Sequence, residues 1–196
     1  MKTGWIVLIV IVGFLVLTVM GVIGKYNSMV EKSESVDSGW SQVENVYQRR
    51  SDLIPNLVNT VKGYASHEKE TLQGVIEARA KATSTTIDAG NITPQQMQAF
   101  QANQAGLSSA LSKLMVVVEQ YPDLKANQSF LDLQSQLEGT ENRIAVERKN
   151  YNDLAKDYNA YIKKFPTVFI AGMMGFEKKP YFEADQGAEV APTVEF

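Results

Sequence analysis

Apolar positions along this chain occur first as one unbroken block and then as a series of helical stripes. Residues 3–24, TGWIVLIVIVGFLVLTVMGVIG, hold no charged side chain and are bracketed by Lys2 and Lys25. As a helix rising about 1.5 Å per residue, the block is about 33 Å long, enough to cross a hydrocarbon core of roughly 30 Å. The pattern predicts a transmembrane anchor over residues 1–25, with Trp5 at an interfacial position and Ile6, Phe14, Leu15 and Ile23 within the span. A secretory signal has a shorter apolar region, about 7–15 residues, and ends in a small-x-small cleavage site. Gly21-Val22-Ile23-Gly24 is a poor site of that kind, and no cysteine is present for lipoprotein processing. The block therefore reads as an uncleaved anchor.

Four stripes at spacings of three and four follow, the signature of helices that share a core. Val36, Trp40, Val43 and Tyr47 form the first, on a helix expected to run straight out of the membrane, with Gly39 as its weak point. Leu53, Leu57, Val61, Tyr64, Leu72, Val75 and Arg79 form the second. Pro55 lies at its start; because proline inside a helix costs about 3 kcal/mol, SDLIPNL predicts a kink or a new helix start. Residues 82–91 read as a loop, and Thr93-Pro94-Gln95-Gln96 as a capping box opening the next helix. That helix carries Met97, Phe100, Gln104, Leu107, Leu111, Leu114, Val118 and Tyr121, and a turn follows at Tyr121-Pro122-Asp123-Leu124. In the last stripe Phe130, Leu137, Ile144, Tyr151, Tyr158 and Phe165 recur every seventh residue, which predicts antiparallel packing at a shallow angle. The fold class is all-α: an N-terminal transmembrane helix followed by an elongated antiparallel helical bundle over residues 26–182, of about four long helices. Residues 183–196, acidic with Gly and Pro, are expected to be a disordered tail.

Charge and composition narrow the function classes. A net charge of -3 and a pI near 5.3, without a basic patch, argue against nucleic acid, which needs cationic groups to replace counterions. The absence of cysteine excludes thiol catalysis, disulfides and Cys-based zinc sites. Orientation in the membrane stays open from charge alone, since Lys2 stands against Lys25 and Lys32.

Candidate chemistry is sparse. His67, the single histidine, lies beside Glu68 and Glu70 and reads as a surface residue rather than a zinc ligand, because zinc sites gather three or four ligands. Glu147 occupies a stripe position, and Glu141, Arg143 and Arg148 lie on the same helix; with Arg79 they read as a buried or half-buried ion-pair network fixing register. A carboxylate acid/base site is the alternative. Arg49 and Arg50 precede a capping Ser51 or Asp52 and read as surface or pairing groups, or else as a partner-docking edge. The apolar segment Phe165 to Phe176 is too short to span. It is expected to cap the bundle end or, through Phe165, Phe169, Met173, Met174 and Phe176, to meet the bilayer interface or a partner subunit. No catalytic, cofactor-binding or metal-binding residue is assigned.

YNSMV at 26–30, RRSDLIPNLVNTVKGYASHEKETL at 49–72, EQYPDLKANQSFLDLQ at 119–134 and TENRIAVERKNYNDLAKDYN at 140–159 together resemble the LemA family of bacterial membrane proteins, over about residues 5–185. The resemblance implies a single N-terminal membrane helix and an elongated bundle in the bacterial inner membrane. It also implies a short N-terminus outside with the bundle in the cytoplasm, and no established activity. Family genes often neighbour membrane-associated TPM-domain proteins or membrane metallopeptidases, which makes those classes expected partners. The motif residues Arg50, Pro55, Asn56, Glu68, Tyr121, Pro122, Glu141, Asn142, Arg148, Tyr151 and Asn152 are expected to be structural. The expected function is a noncatalytic, membrane-anchored scaffold or adaptor of the envelope that forms homo-oligomers on the lipid bilayer. Membrane shaping through ordered arrays is the alternative, and an enzyme of unknown reaction the third.

Overall fold

A computed structural model describes residues 2–85 and 87–183. Among these residues there are six α-helices and one short 3-10 turn. Helix α1, Lys2–Tyr64, is 63 residues long, about 95 Å at the usual helical rise. The remainder are α2, Lys69–Ser84; a 3-10 turn, Ala89–Asn91; α3, Pro94–Val118; α4, Pro122–Lys125; α5, Gln128–Lys163; and α6, Thr167–Met174. The all-α reading of the sequence holds.

The apolar block and the first bundle helix are one element, with no interruption at residue 25, at Gly39 or at Pro55. Of the two readings of Pro55, a new helix start does not occur. Proline cannot donate to the carbonyl four residues earlier, here that of Ser51, and Arg79 on α2 supplies the missing donor: its Nε lies 2.8 Å from Ser51 O. At Gly39, a Cβ would stand 2.8 Å from Leu154 Cδ1, so the expected weak point is a place where α1 and α5 approach closely.

Chain direction then follows from short connections. Helix α1 runs away from the apolar end, α2 returns alongside it, α3 runs out again, and α5 returns antiparallel to α1, the pair in closest contact. The capping box is present: Thr93 Oγ1 accepts from Gln96 N, and Gln96 Oε1 accepts from Thr93 N. The expected loop at residues 82–91 begins later than its composition suggested, since α2 continues to Ser84.

The core is divided into two clusters. The one nearer the apolar block joins Met29, Val36, Trp40, Val43 and Tyr47 to Phe100 and to Ile144, Tyr151, Tyr158 and Ile162. The distal one joins Ile54, Leu57 and Val61 to Leu72, Val75, Leu107, Leu114, Phe130 and Leu137. Between them lies a polar layer centred on Arg50, which is 2% exposed. Its Nη1 donates to Glu141 Oε1 at 2.6 Å and to Ser108 Oγ at 3.1 Å, its Nη2 donates to Gln104 Oε1 at 2.5 Å, and the guanidinium lies 5.1 Å from the Tyr47 ring centroid. One side chain thereby ties α1, α3 and α5 together. Both Nη groups are paired while the buried Nε has no hydrogen-bond partner among the described residues, and a buried charge that finds its carboxylate in one alignment only is a register device. Of the charged residues expected to form a register-fixing network, Glu141 is ion-paired, with Arg50, while Arg79 serves Ser51 O and Glu147 is half-buried and accepts from Asn150 Nδ2.

Candidate membrane-proximal interface

From residue 3 to residue 21 every side chain on α1 is exposed, including Trp5, Ile6, Phe14 and Leu15 at 67%, 61%, 71% and 56%. Helix α1 is long and apolar enough to cross a membrane. Ile23 remains exposed, but Val22 and Lys25 are half-buried and Met29 is fully buried. Bundle contacts therefore begin inside the last turn of the apolar block.

What covers that turn is the C-terminal end of α5 and the segment that follows. Lys25 and Lys32 each place an ammonium over the Tyr161 ring, at 5.7 and 5.6 Å. Helix α5 stops at Lys163 ahead of Pro166, which cannot continue an α5 ladder. The seven-residue repeat consequently fails at its last member: Phe130, Leu137, Ile144, Tyr151 and Tyr158 are buried, whereas Phe165 is 82% exposed. Helix α6 docks through Thr167 and Ala171, both buried, and Phe176 meets the Tyr26 ring edge-on at 5.7 Å. Phe169, Met173 and Met174 are exposed. The segment thus caps the bundle end with one face and leaves the other apolar face open.

Gly175, in the left-handed conformation at φ 75°, ends α6 and sends residues 176–183 back along α5 as an extended strap. Every stage of the strap is held. Tyr158 Oη donates to Glu177 O at 2.9 Å, and Asn159 exchanges two hydrogen bonds with the Lys179 backbone. Tyr151 Oη donates to Pro180 O, and Asn152 exchanges two hydrogen bonds with the Phe182 backbone. Lys179, 7% exposed, donates from Nζ to Asp37 at 2.8 Å and to the carbonyls of Ala89 and Gly90. Phe182 stacks on Trp40 at 5.8 Å and meets Tyr151 and Phe100 edge-on. Burial raises the pKa of both Tyr151 and Tyr158, and the Asp37 carboxylate adds to it. The sequence reading placed residue 183 in a disordered tail, yet Glu183 is engaged through Gln101 and Arg148. Residues 184–196 lie outside the described part of the chain.

The other sequence candidates scatter. Arg49 is exposed while Arg50 turns into the core, so the pair does not form one surface edge. His67 is exposed in the turn between α1 and α2, and Glu68 beside it accepts from Tyr121 Oη at 2.9 Å. Among the described residues no group of three or more His, Asp or Glu side chains is placed to hold a metal ion. A groove of about 630 Å³ between α2 and α3 is open and lined by small residues with Glu70, Glu77, Lys81 and Lys113 at its edges. The strap and its asparagine clamps were not read from the sequence. The available signal was the pairing of Asn152 and Asn159, one helical heptad apart, beside Tyr151 and Tyr158.

The LemA family model matches residues 39–196. The chain is 29% identical over 176 residues to magnetosome protein MamQ 2 of Paramagnetospirillum magneticum, covering 81% of this chain and 65% of that one. It is 27% identical over 175 residues to magnetosome protein MamQ of Magnetospirillum gryphiswaldense, covering 81% and 64%. With protein LemA of Metamycoplasma hominis it shares 25% identity over 164 residues, covering 84% and 71%. The chain therefore spans slightly less than two thirds of the magnetosome proteins it matches. None of these descriptions names a reaction. With the match running from the middle of α1 through the whole bundle, the chain belongs to the LemA family.

Proposed function

We propose that this protein is a noncatalytic, membrane-anchored helical scaffold or adaptor of the bacterial envelope that self-assembles laterally, with α1 crossing the inner membrane and the bundle on the cytoplasmic side. The observation that carries this reading is the continuity of α1. The same unbroken helix supplies the apolar block and the core residues Val36, Trp40, Val43, Ile54 and Leu57. A rigid rod fixed upright on a bilayer holds its contact faces at a set height and orientation. Confinement to two dimensions raises effective concentration, so that weak lateral contacts suffice. Membership of a family without a named reaction, and relatives described as magnetosome proteins, agree with a structural role. A TPM-domain protein or a membrane metallopeptidase is the class of partner proposed for an adaptor.

The test is the mass and imaging of the full-length protein extracted from its native membrane in mild detergent, with crosslinking in intact cells. A defined multi-copy assembly supports the scaffold. A monodisperse monomer that also fails to crosslink to itself eliminates self-assembly, and a co-purifying second protein turns the reading to an adaptor.

A further inference from the structure

We propose that the open face of α6 is a second membrane-contact site: α6 lies in the headgroup region of the same leaflet from which α1 emerges and is selective for anionic lipid. This rests on the membrane-anchored reading above and adds to it a specific element, depth and headgroup charge.

Position carries the argument first. The α6 segment packs against the first turns beyond the apolar block, where Met29 shares a core cluster with Ala171 and Tyr26 meets Phe176, and Val22 in the block's last turn is half-buried. Tyr26 is two residues past Gly24, about 3 Å along the helix axis. If α1 crosses the bilayer over residues 3–24, α6 stands at the boundary between acyl chains and headgroups, and its open face continues the lipid-facing surface of the span.

Chemistry fits that position. Residues 165–176 carry no charge. The open face repeats every four residues, with Phe165, Phe169 and Met173 at 82%, 64% and 82% exposure and the first two rings in edge contact at 5.9 Å. Exposure of that kind on a helix already docked by its other face is costly in water and favourable in an interface, where amphipathic helices sink roughly 5–10 Å. The segment is also flanked by cations. Between residues 163 and 178 three lysines, Lys163, Lys164 and Lys178, stand against one acid, Glu177. Lys178 lies beside Lys163 and lowers its pKa. Two like charges held together at the rim of an apolar face are the arrangement that a lipid phosphate relieves.

Because the chain contains no cysteine, single substitutions Phe14→Cys, Phe169→Cys, Met173→Cys and Val146→Cys give unique fluorophore sites on the full-length protein. The labelled proteins are placed in phosphatidylcholine vesicles with and without phosphatidylglycerol and quenched by lipids bearing shallow or deep nitroxides. The expected result is loss of emission at 169 and 173 with shallow nitroxides, loss at 14 with deep ones, and none at 146, which is exposed on the bundle. If 14 is quenched while 169 and 173 behave as 146, the second site is overturned and the anchor stands; if 14 is not quenched, both readings fall. Labels at 169 and 173 shielded from lipid nitroxides and from aqueous iodide alike overturn the proposal in favour of a covering protein copy. Phosphatidylglycerol is expected to increase quenching at 169, and Lys163→Gln with Lys178→Gln to abolish that increase. An unchanged increase overturns the headgroup preference.

Discussion

Arg79 serves the backbone gap that Pro55 creates. The proline sits inside a 63-residue helix, toward its C-terminal end, and the carbonyl it cannot reach, Ser51 O, accepts instead from Arg79 Nε at 2.8 Å. A side chain on α2 is thereby written into the ladder of α1, and the helix continues through the point where the sequence predicts a kink or a new start. The two residues lie 24 positions apart, and nothing local links them.

This coupling is measurable. Ser51 is buried, so Arg79→Met leaves an unpaired carbonyl and is expected to destabilise the detergent-solubilised protein by about 1–3 kcal/mol. Pro55→Ala restores a backbone donor, and in the Arg79→Met background it should recover most of that loss. Denaturant unfolding of the two single variants and the double variant gives the coupling energy. Additive effects would show that the two residues act independently.

The polar layer at Arg50 predicts an asymmetry. Glu141→Ala strips the buried guanidinium of its carboxylate partner and is expected to lower stability by about 1.5–3 kcal/mol, the range for hydrogen bonds to charged groups. Arg50→Met combined with Glu141→Leu removes both charges and should lose less than Glu141→Ala alone, because no unpaired cation remains in the core. Thermal unfolding followed by circular dichroism decides between them.

The strap depends on two asparagine amides. Asn152→Ala and Asn159→Ala each delete a pair of hydrogen bonds, at about 0.5–1.5 kcal/mol per bond. Amide exchange at Phe182 and Lys179, whose N–H groups donate to those side chains, is expected to accelerate in the corresponding variant while α3 exchange stays unchanged. Uniform acceleration through the bundle would mean that the strap is part of the global fold rather than a separable closure.

Alkaline pH should release the strap-side tyrosines. Tyr151 and Tyr158 have folded pKa values raised above the ordinary 10.0, so from about pH 10 upward the unfolded chain loses phenolic protons that the native state retains. Stability contributed by this difference is complete below that pH and falls as pH rises toward the folded values. Tyr151→Phe and Tyr158→Phe are each expected to flatten the decline in melting temperature across this range. A decline of unchanged slope in both variants would assign the alkaline transition to other groups.

The fold was legible in the sequence because helical stripes report burial directly. Val36, Trp40, Val43 and Tyr47, and Met97, Phe100, Gln104, Leu107, Leu111, Leu114 and Val118, are all inside, whereas Tyr64 at the end of α1 is exposed and Tyr121 half-buried, and the Thr93 capping box is formed as its spacing implied. Residues whose role depends on a distant partner were less legible. Arg50 beside Arg49 read as a surface or pairing group, and only the meeting of α1, α3 and α5 makes it a buried one, paired with Glu141, Gln104 and Ser108. Phe165 matched its heptad and still left the seam, since a repeat counts residues but does not state where the helix stops. The strap was not legible: its eight residues carry no periodicity, and the groove that orders them exists only after α5 has packed on α1.

By itself the sequence determined what burial and chain length determine: a long apolar block, an all-helical domain, stripes of fixed spacing and no cysteine. These follow from nearest-neighbour geometry along a helix. Tertiary structure alone decided that the rod runs on through Gly39 and Pro55, that a polar layer divides the core, and that α6 turns an apolar face outward beside the end of the apolar block. Each of these depends on contacts between residues far apart in the chain, whose free energy appears only when packing brings them together.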